Sequence, residues 1–327
     1  MSKPIILSAI QPTGNLHIGN YLGAVKNWVD LQNSDKYQSY IMIADLHSLT
    51  GDMSADDRRV QITKTAIELI AAGIDPEKTT LFVQSHVSAH TELGWVFNTV
   101  TPMAELERMT QYKDKSARQA QNINAGLFTY PTLMAADILL YHATHVPVGE
   151  DQIQHVELTR DIAKKFNKKY SDYFPETKAI LTETPRVKSL LDPTSKMSKS
   201  KGMGHVIELA DEPAVIEKKL KKAVTATEGG GDSPGVENLL LLLQNFSNTD
   251  DHKKFIAAEK DGSIRYGDLK AAVAAGISEH FASFRERRKK LLANHNEIAD
   301  ILIDGAEKAN VVATKTMEDV RKLVGIR

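Results

Sequence analysis

The chain contains no cysteine among its 327 residues. That excludes disulfides, thiolate-ligated zinc, iron–sulfur clusters and cysteine nucleophiles together. Neither sign of charge is in excess: 41 Lys and Arg stand against 42 Asp and Glu, a formal net charge of −1. Bulk charge therefore does not predict a nucleic-acid partner, and any such surface must be a local patch. No apolar run reaches membrane-spanning length and no apolar leader is present, which points to the cytoplasm. There is no internal repeat and no low-complexity tail. What remains is 42% hydrophobic and 25% charged, the composition of an ordinary globular protein. The length predicts two domains rather than one core.

The N-terminal half alternates strand and helix patterns. Residues 4–10 read as a short buried strand, followed by a turn with Pro12 and Gly14. Ile18, Leu22, Val25 and Val29 then recur at helical spacing. Residues 40–44 and 81–83 read as further buried strands. Between them, Ser54 with Asp57 resembles a capping box, and the helix it opens ends near Gly73. Strand, helix, strand, helix, strand in that order implies parallel pairing in a doubly wound α/β sheet. Such sheets bind ligands beyond their carboxyl ends, where strand order reverses. Residues 88–142 read as a helical insertion, 144–148 as the next strand, and the chain beyond about 205 as helical, with a glycine-rich loop at 229–231 and one option of a break near Gly305.

Two segments carry chemistry. Gln11-Pro12-Thr13-Gly14-Asn15-Leu16-His17-Ile18-Gly19-Asn20 runs from a strand into a helix N-terminus, which offers free N–H groups and a positive dipole end to an anion. His17 and Asn20 share a face and are candidate phosphate donors, and Gly19 leaves room for a flat base. The second is Lys196-Met197-Ser198-Lys199-Ser200, followed by Lys201-Gly202-Met203-Gly204. Two lysines on a glycine-containing loop suit a phosphate chain that is held and then released.

A third segment, residues 130–141, is apolar except for Asp137. Burying a lone carboxylate is costly, so Asp137 requires a cation or a donor, from the protein or from a ligand. Val146-Pro147-Val148-Gly149-Glu150-Asp151-Gln152 leads into another helix N-terminus and offers a polar run for ribose hydroxyls or an ammonium group. His86 and His90, with Glu92 near, are a weaker metal candidate; a polar helix face is the expected reading.

Thr13-Gly14-x-x-His17-Ile18-Gly19-Asn20 resembles the HIGH motif of class I aminoacyl-tRNA synthetases, and residues 196–200 match their KMSKS motif letter for letter. The Met-Ala-Ala-Asp-Ile and Gly-Glu-Asp-Gln segments resemble the bacterial tryptophanyl-tRNA synthetase family, over most of the chain. The resemblance implies a Rossmann-type catalytic domain over 1–194 with a helical insertion. It implies a KMSKS loop and helical anticodon-binding domain over 195–290, then C-terminal helices over 291–327, with packing back on the catalytic domain as one option.

It also implies roles. Gln11, Pro12, Thr13, His17, Gly19, Asn20, Gly149, Glu150, Asp151, Val187 and residues Lys196, Met197, Ser198, Lys199 and Ser200 correspond to the ATP site. Asp137 corresponds to the acceptor of the indole N–H, with Tyr130, Met134, Ile138, Val146, Val148 and Gln152 around the amino acid. Lys196, Lys199, Lys113 and Lys115 correspond to the cations on the phosphate side. ATP with magnesium, L-tryptophan, tRNA and a second copy of the chain are the implied partners, and no resident metal is expected. Two basic runs, Lys218, Lys219, Lys221, Lys222 and Arg285, Arg287, Arg288, Lys289, Lys290, are candidate tRNA surfaces. Many family members carry Thr where this chain has His17. Rival readings are a tyrosyl-tRNA synthetase, a nucleotidyltransferase with a similar N-terminal motif, and a synthetase-like RNA-binding protein without catalysis.

Overall fold

The structure, a computed structural model, describes residues 3–113, 123–181, 185–225 and 233–326. Lys115 and the 229–231 glycine loop lie outside these. The chain divides into two compact units, one of residues 1–14, 27–183 and 294–327, the other of 15–26 and 184–293.

The first unit is built on a sheet of five parallel strands among the described residues: β1 Ile5–Ile10, β2 Gln38–Ile43, β3 Thr79–Val83, β4 His145–Val148 and β5 Lys178–Leu181. Their spatial order is β3-β2-β1-β4-β5. Strand order therefore reverses between β1 and β4, and the segments leaving those two strands, Gln11–Thr13 and Gly149–Gln152, flank the switch point. Strands β1 to β3 are nearly continuous apolar runs, as expected where helices cover both faces. β5 is short, half-exposed and at the edge, and its sequence carries no strong strand signal.

Helix α1 Ile18–Asn20 is followed by a π turn at Tyr21–Val25 and α2 Lys26–Asn33. Then come α3 Asp45–Ser48 and α4 Ala55–Ala72, capped by Ser54 and ended by Gly73 with φ +118°. Among the described residues, three α-helices lie between β3 and β4: α5 Ala89–Asn98, α6 Met103–Glu107 and α7 Ala125–Leu139. α8 Ile153–Lys169 joins β4 to β5. The second unit contains α9 Pro213–Lys221, α10 Pro234–Phe246, α11 Thr249–Asp261, α12 Tyr266–His280 and α13 Ala282–Leu292. The last helix, α14 His295–Val324, belongs to the sheet unit.

α14 runs unbroken through Gly305, where the sequence suggested a break. The glycine serves close approach instead: a Cβ there would lie 1.9 Å from the Leu81 carbonyl oxygen on β3. Ala306, Ala309, Ala313 and Met317 of α14 join Phe82, Phe97, Tyr141 and Phe166 in one apolar core. Arg321 near its end pairs with Glu92 on α5.

Candidate active site

Residues 15–26 cluster with 184–293 rather than with the sheet because their backbone is paired there. Ile18 N–H donates to Ile207 O at 3.0 Å and Leu209 N–H to Leu16 O at 2.9 Å, an antiparallel bridge of His17 with Glu208. Asn15 Nδ2 donates to the buried Glu208 carboxylate at 2.9 Å. These bonds fix the turn that opens α1.

His17 is the N-cap of α1. Its Nδ1 accepts the Asn20 N–H at 3.3 Å, and its own N–H donates to Asn20 Oδ1 at 3.1 Å. With Nδ1 accepting, the ring proton of the neutral imidazole sits on Nε2, which is left as a donor. Burial, then the charges of Lys199 and Lys196, lower the imidazole pKa from 6.5 to about 4. His17 is therefore neutral at pH 7. Gly19 makes room for this ring: a Cβ at Gly19 would lie 2.9 Å from two atoms of the imidazole.

The 196–200 segment folds against the same turn. Met197 is buried, and its N–H donates to Val187 O at 3.0 Å. Ser198 caps the short helical turn Lys199–Lys201, with its hydroxyl 2.9 Å from that of Ser200. Lys196 is exposed, and Lys199 Nζ donates to the main-chain carbonyl of Asn15. One compact unit thus brings two cationic side chains to a helix start that presents a neutral imidazole donor.

The sheet unit holds a second constellation. Asp137 on α7 is 2% exposed. Its Oδ1 accepts from Gln84 Nε2 at 2.8 Å and His90 Nδ1 at 2.7 Å, and its Oδ2 accepts from His47 Nε2 at 2.7 Å. Burial alone would raise the carboxyl pKa, but the charges and hydrogen bonds of His47 and His90 outweigh it and hold the group below the ordinary carboxylate range. The acid is ionised and has protein partners, the option its isolation in an apolar segment left open.

Tyr130 packs edge-on to His47 and bonds His155 through its hydroxyl at 2.9 Å. Ile138 and Val146 are buried in the core cluster, and Met134 and Val148 lie half-buried against it. After β4, Gly149 leads into a short turn, Glu150–Gln152, in which Gln152 bonds Asp151 at 2.9 Å. Gln154 ties this helix start to Arg108 and Thr110, near Lys113, which is exposed. His90 is fully buried rather than on a polar helix face, whereas His86 is exposed, so the two do not form a ligand pair. Among the described residues no three His, Cys, Asp or Glu side chains are arranged to hold a metal.

Residues 1–282 match the family of class I tRNA synthetases for tryptophan and tyrosine. A tryptophan–tRNA ligase from Streptomyces avermitilis is 45% identical over 99% of this chain and 97% of its own. One from Wolinella succinogenes is 43% identical over the full length of both. The chain belongs to the bacterial tryptophanyl-tRNA synthetases. Its structure is similar to the Campylobacter jejuni tryptophanyl-tRNA synthetase complexed with ADP and tryptophan, with TM-score 0.85 and 34% identity over 98% of this chain and 99% of that one. It is accordingly an ATP-dependent aminoacyl-tRNA ligase on a Rossmann-type sheet with helical additions.

Among the basic residues proposed for tRNA in this synthetase, Lys219 and Arg285 are committed internally. Lys219 pairs with Asp211 at 2.6 Å, and Arg285 donates to Ser278 O. Arg287, Lys289 and Lys290 are exposed on α13. Sequence reading missed His47, Gln84 and Glu208, and read His90 as part of a polar helix face rather than as a partner of Asp137. Their partners lie 38 to 193 residues away, so no local pattern marks them.

Proposed function

We propose that Lys196 and Lys199 are the catalytic cations of tryptophan activation and that Asp137 is the indole acceptor. The observation that supports the first assignment most is the folding of the 196–200 segment against the turn that opens α1, with Lys199 Nζ on the Asn15 carbonyl. Tryptophan's carboxylate is ionised at neutral pH, so its attack on the α-phosphorus of ATP needs no protein base. Catalysis then rests on orientation and on charge stabilisation of departing pyrophosphate. Magnesium enters with the triphosphate as part of the substrate.

In this reading His17 Nε2–H and the Asn20 amide donate to phosphate oxygens. Gln11, Pro12, Thr13, Gly19, Val187, Met197, Ser198 and Ser200 frame the nucleotide, and Gly149, Glu150 and Asp151 take the ribose. Lys113 and Lys115 assist on the phosphate side. Asp137 accepts the indole N–H between Met134, Ile138, Val146, Val148 and Tyr130, and Gln152 serves the amino-acid head group. The adenylate is then attacked by the 3′-terminal ribose hydroxyl of tRNA, with the helical unit and its exposed α13 cations on the anticodon side. A second copy of the chain is a partner too, as the family resemblance implies. The setting is the cytoplasm.

ATP–pyrophosphate exchange, run with each amino acid in turn, tests the activity. Exchange is expected with tryptophan. Equal exchange with tyrosine contradicts the proposed selectivity, and exchange lost equally with affinity in Lys199→Ala contradicts its catalytic role.

A further inference from the structure

We infer that His90, held by Tyr141, is a positioning residue that aims the last open acceptor site of Asp137 at the substrate's N–H; this rests on the reading of Asp137 as the indole acceptor. A carboxylate has about four acceptor sites. Three are taken here. Gln84 and His90 fill both sites of Oδ1, and His47 fills one of Oδ2. The remaining site is on Oδ2.

Each donor is itself fixed. Gln84 Oε1 accepts the Leu46 N–H at 3.2 Å, which leaves its amide N–H₂ turned to Asp137. His90 must donate from Nδ1, because a carboxylate only accepts. Its Nε2 is hydrogen-bonded to the Tyr141 hydroxyl, 2.8 Å away. Tyr141 is stacked on Tyr40 at 4.9 Å and meets Phe82 edge-on at 5.6 Å, so strands β2 and β3 hold the phenol. His90 lies over Phe82 with ring planes 25° apart. The result is a hydrogen-bonded chain from Tyr141 through His90 to Asp137, with every ring packed in the core.

The consequence is directional. With Oδ1 saturated by two fixed donors, the carboxylate plane does not turn about its Cβ–Cγ bond. The open lone pair of Oδ2 keeps one direction, and a ligand N–H aligned with it gains a charge-assisted hydrogen bond. Without His90 the two oxygens exchange places and the acceptor direction blurs.

The test compares tryptophan with 3-benzothienylalanine, which has the same shape with sulfur in place of N–H. The readout is the ratio of their kcat/KM values in adenylation, with the KM for ATP as reference. His90→Leu is expected to reduce the preference for tryptophan roughly ten- to hundredfold, through KM for tryptophan and not for ATP. His90→Asn, whose amide reproduces the Nδ1 donor, is expected to restore most of it. Tyr141→Phe keeps the packing, is expected to give a smaller loss in the same ratio, and decides the matter if His90→Leu does not fold. An unchanged ratio in His90→Leu and Tyr141→Phe, alongside a collapsed ratio in Asp137→Ala, overturns the inference and leaves the Asp137 reading standing. An unchanged ratio in Asp137→Ala itself removes both.

Discussion

Lys199 rests its ammonium on the main-chain carbonyl of Asn15, whose side-chain amide is held by Glu208. A single residue at the start of the first motif thus receives the second lysine of the KMSKS segment on its backbone and a buried carboxylate on its side chain. A cation that bonds a neutral carbonyl exchanges it readily for a phosphate oxygen, since the charged acceptor is the stronger partner.

Neutralising that cation is therefore expected to act on the chemical step. Lys199→Ala should lower the rate of adenylate formation by about 10²- to 10³-fold, with tryptophan affinity changed much less. Single-turnover kinetics beside equilibrium tryptophan binding makes the comparison.

Removing Asp137 should affect selectivity and stability together. Asp137→Ala is expected to weaken discrimination against phenylalanine and tyrosine, read as ratios of kcat/KM. It also strands the donors of His47, His90 and Gln84, so the unfolding free energy should fall by about 3–5 kcal/mol. A chain of unchanged stability would show that these three donors find other partners.

The His17 turn predicts a pH dependence of stability. Its pKa is about 4 in the folded chain against 6.5 ordinarily, lowered by burial and then by Lys199 and Lys196. Above pH 6.5 neither state is protonated and the full stability is present. As pH falls from 6.5 towards 4, the unfolded chain binds a proton that the folded chain does not, and stability is lost by at most about 3 kcal/mol. His17→Asn keeps a good helix cap without a titrating ring. Unfolding free energies between pH 7.5 and 4.5 should fall less steeply in the variant, and parallel curves would contradict the assignment.

Gly305→Ala should destabilise the sheet unit, because the added methyl would sit 1.9 Å from the Leu81 carbonyl oxygen. A loss of at least about 2 kcal/mol is expected from forcing α14 off β3, read from the denaturant midpoint.

The sequence made the sheet legible where its strands are buried on both faces. Ile5–Ile10 and Gln38–Ile43 are largely apolar runs, whereas Lys178–Leu181 is too short and too exposed to stand out. The His17 turn and the 196–200 loop were legible as motifs, but their shared unit depends on pairing with Ile207 and Leu209, which no local pattern predicts. Asp137 stood out as a charge among apolar residues. What surrounds it did not: His47 and His90 lie 90 and 47 residues away and meet it only through the fold. Gly305 was ambiguous, because a glycine that breaks a helix and one that lets a helix touch a strand read alike in one dimension.

The seating of α14 on β3 bears on the order in which the chain folds. During synthesis β3 leaves the ribosome more than 200 residues before α14, with residues 184–293 of the helical unit made in between. Domains generally form as their residues emerge. Here the helical unit, continuous from 184 to 293 apart from the 15–26 segment, has all its residues before the sheet unit has its last layer. The nascent sheet must therefore wait with Phe82 and its neighbours uncovered on that side. The final stage of folding is the docking of the C-terminal helix onto a strand made near the beginning.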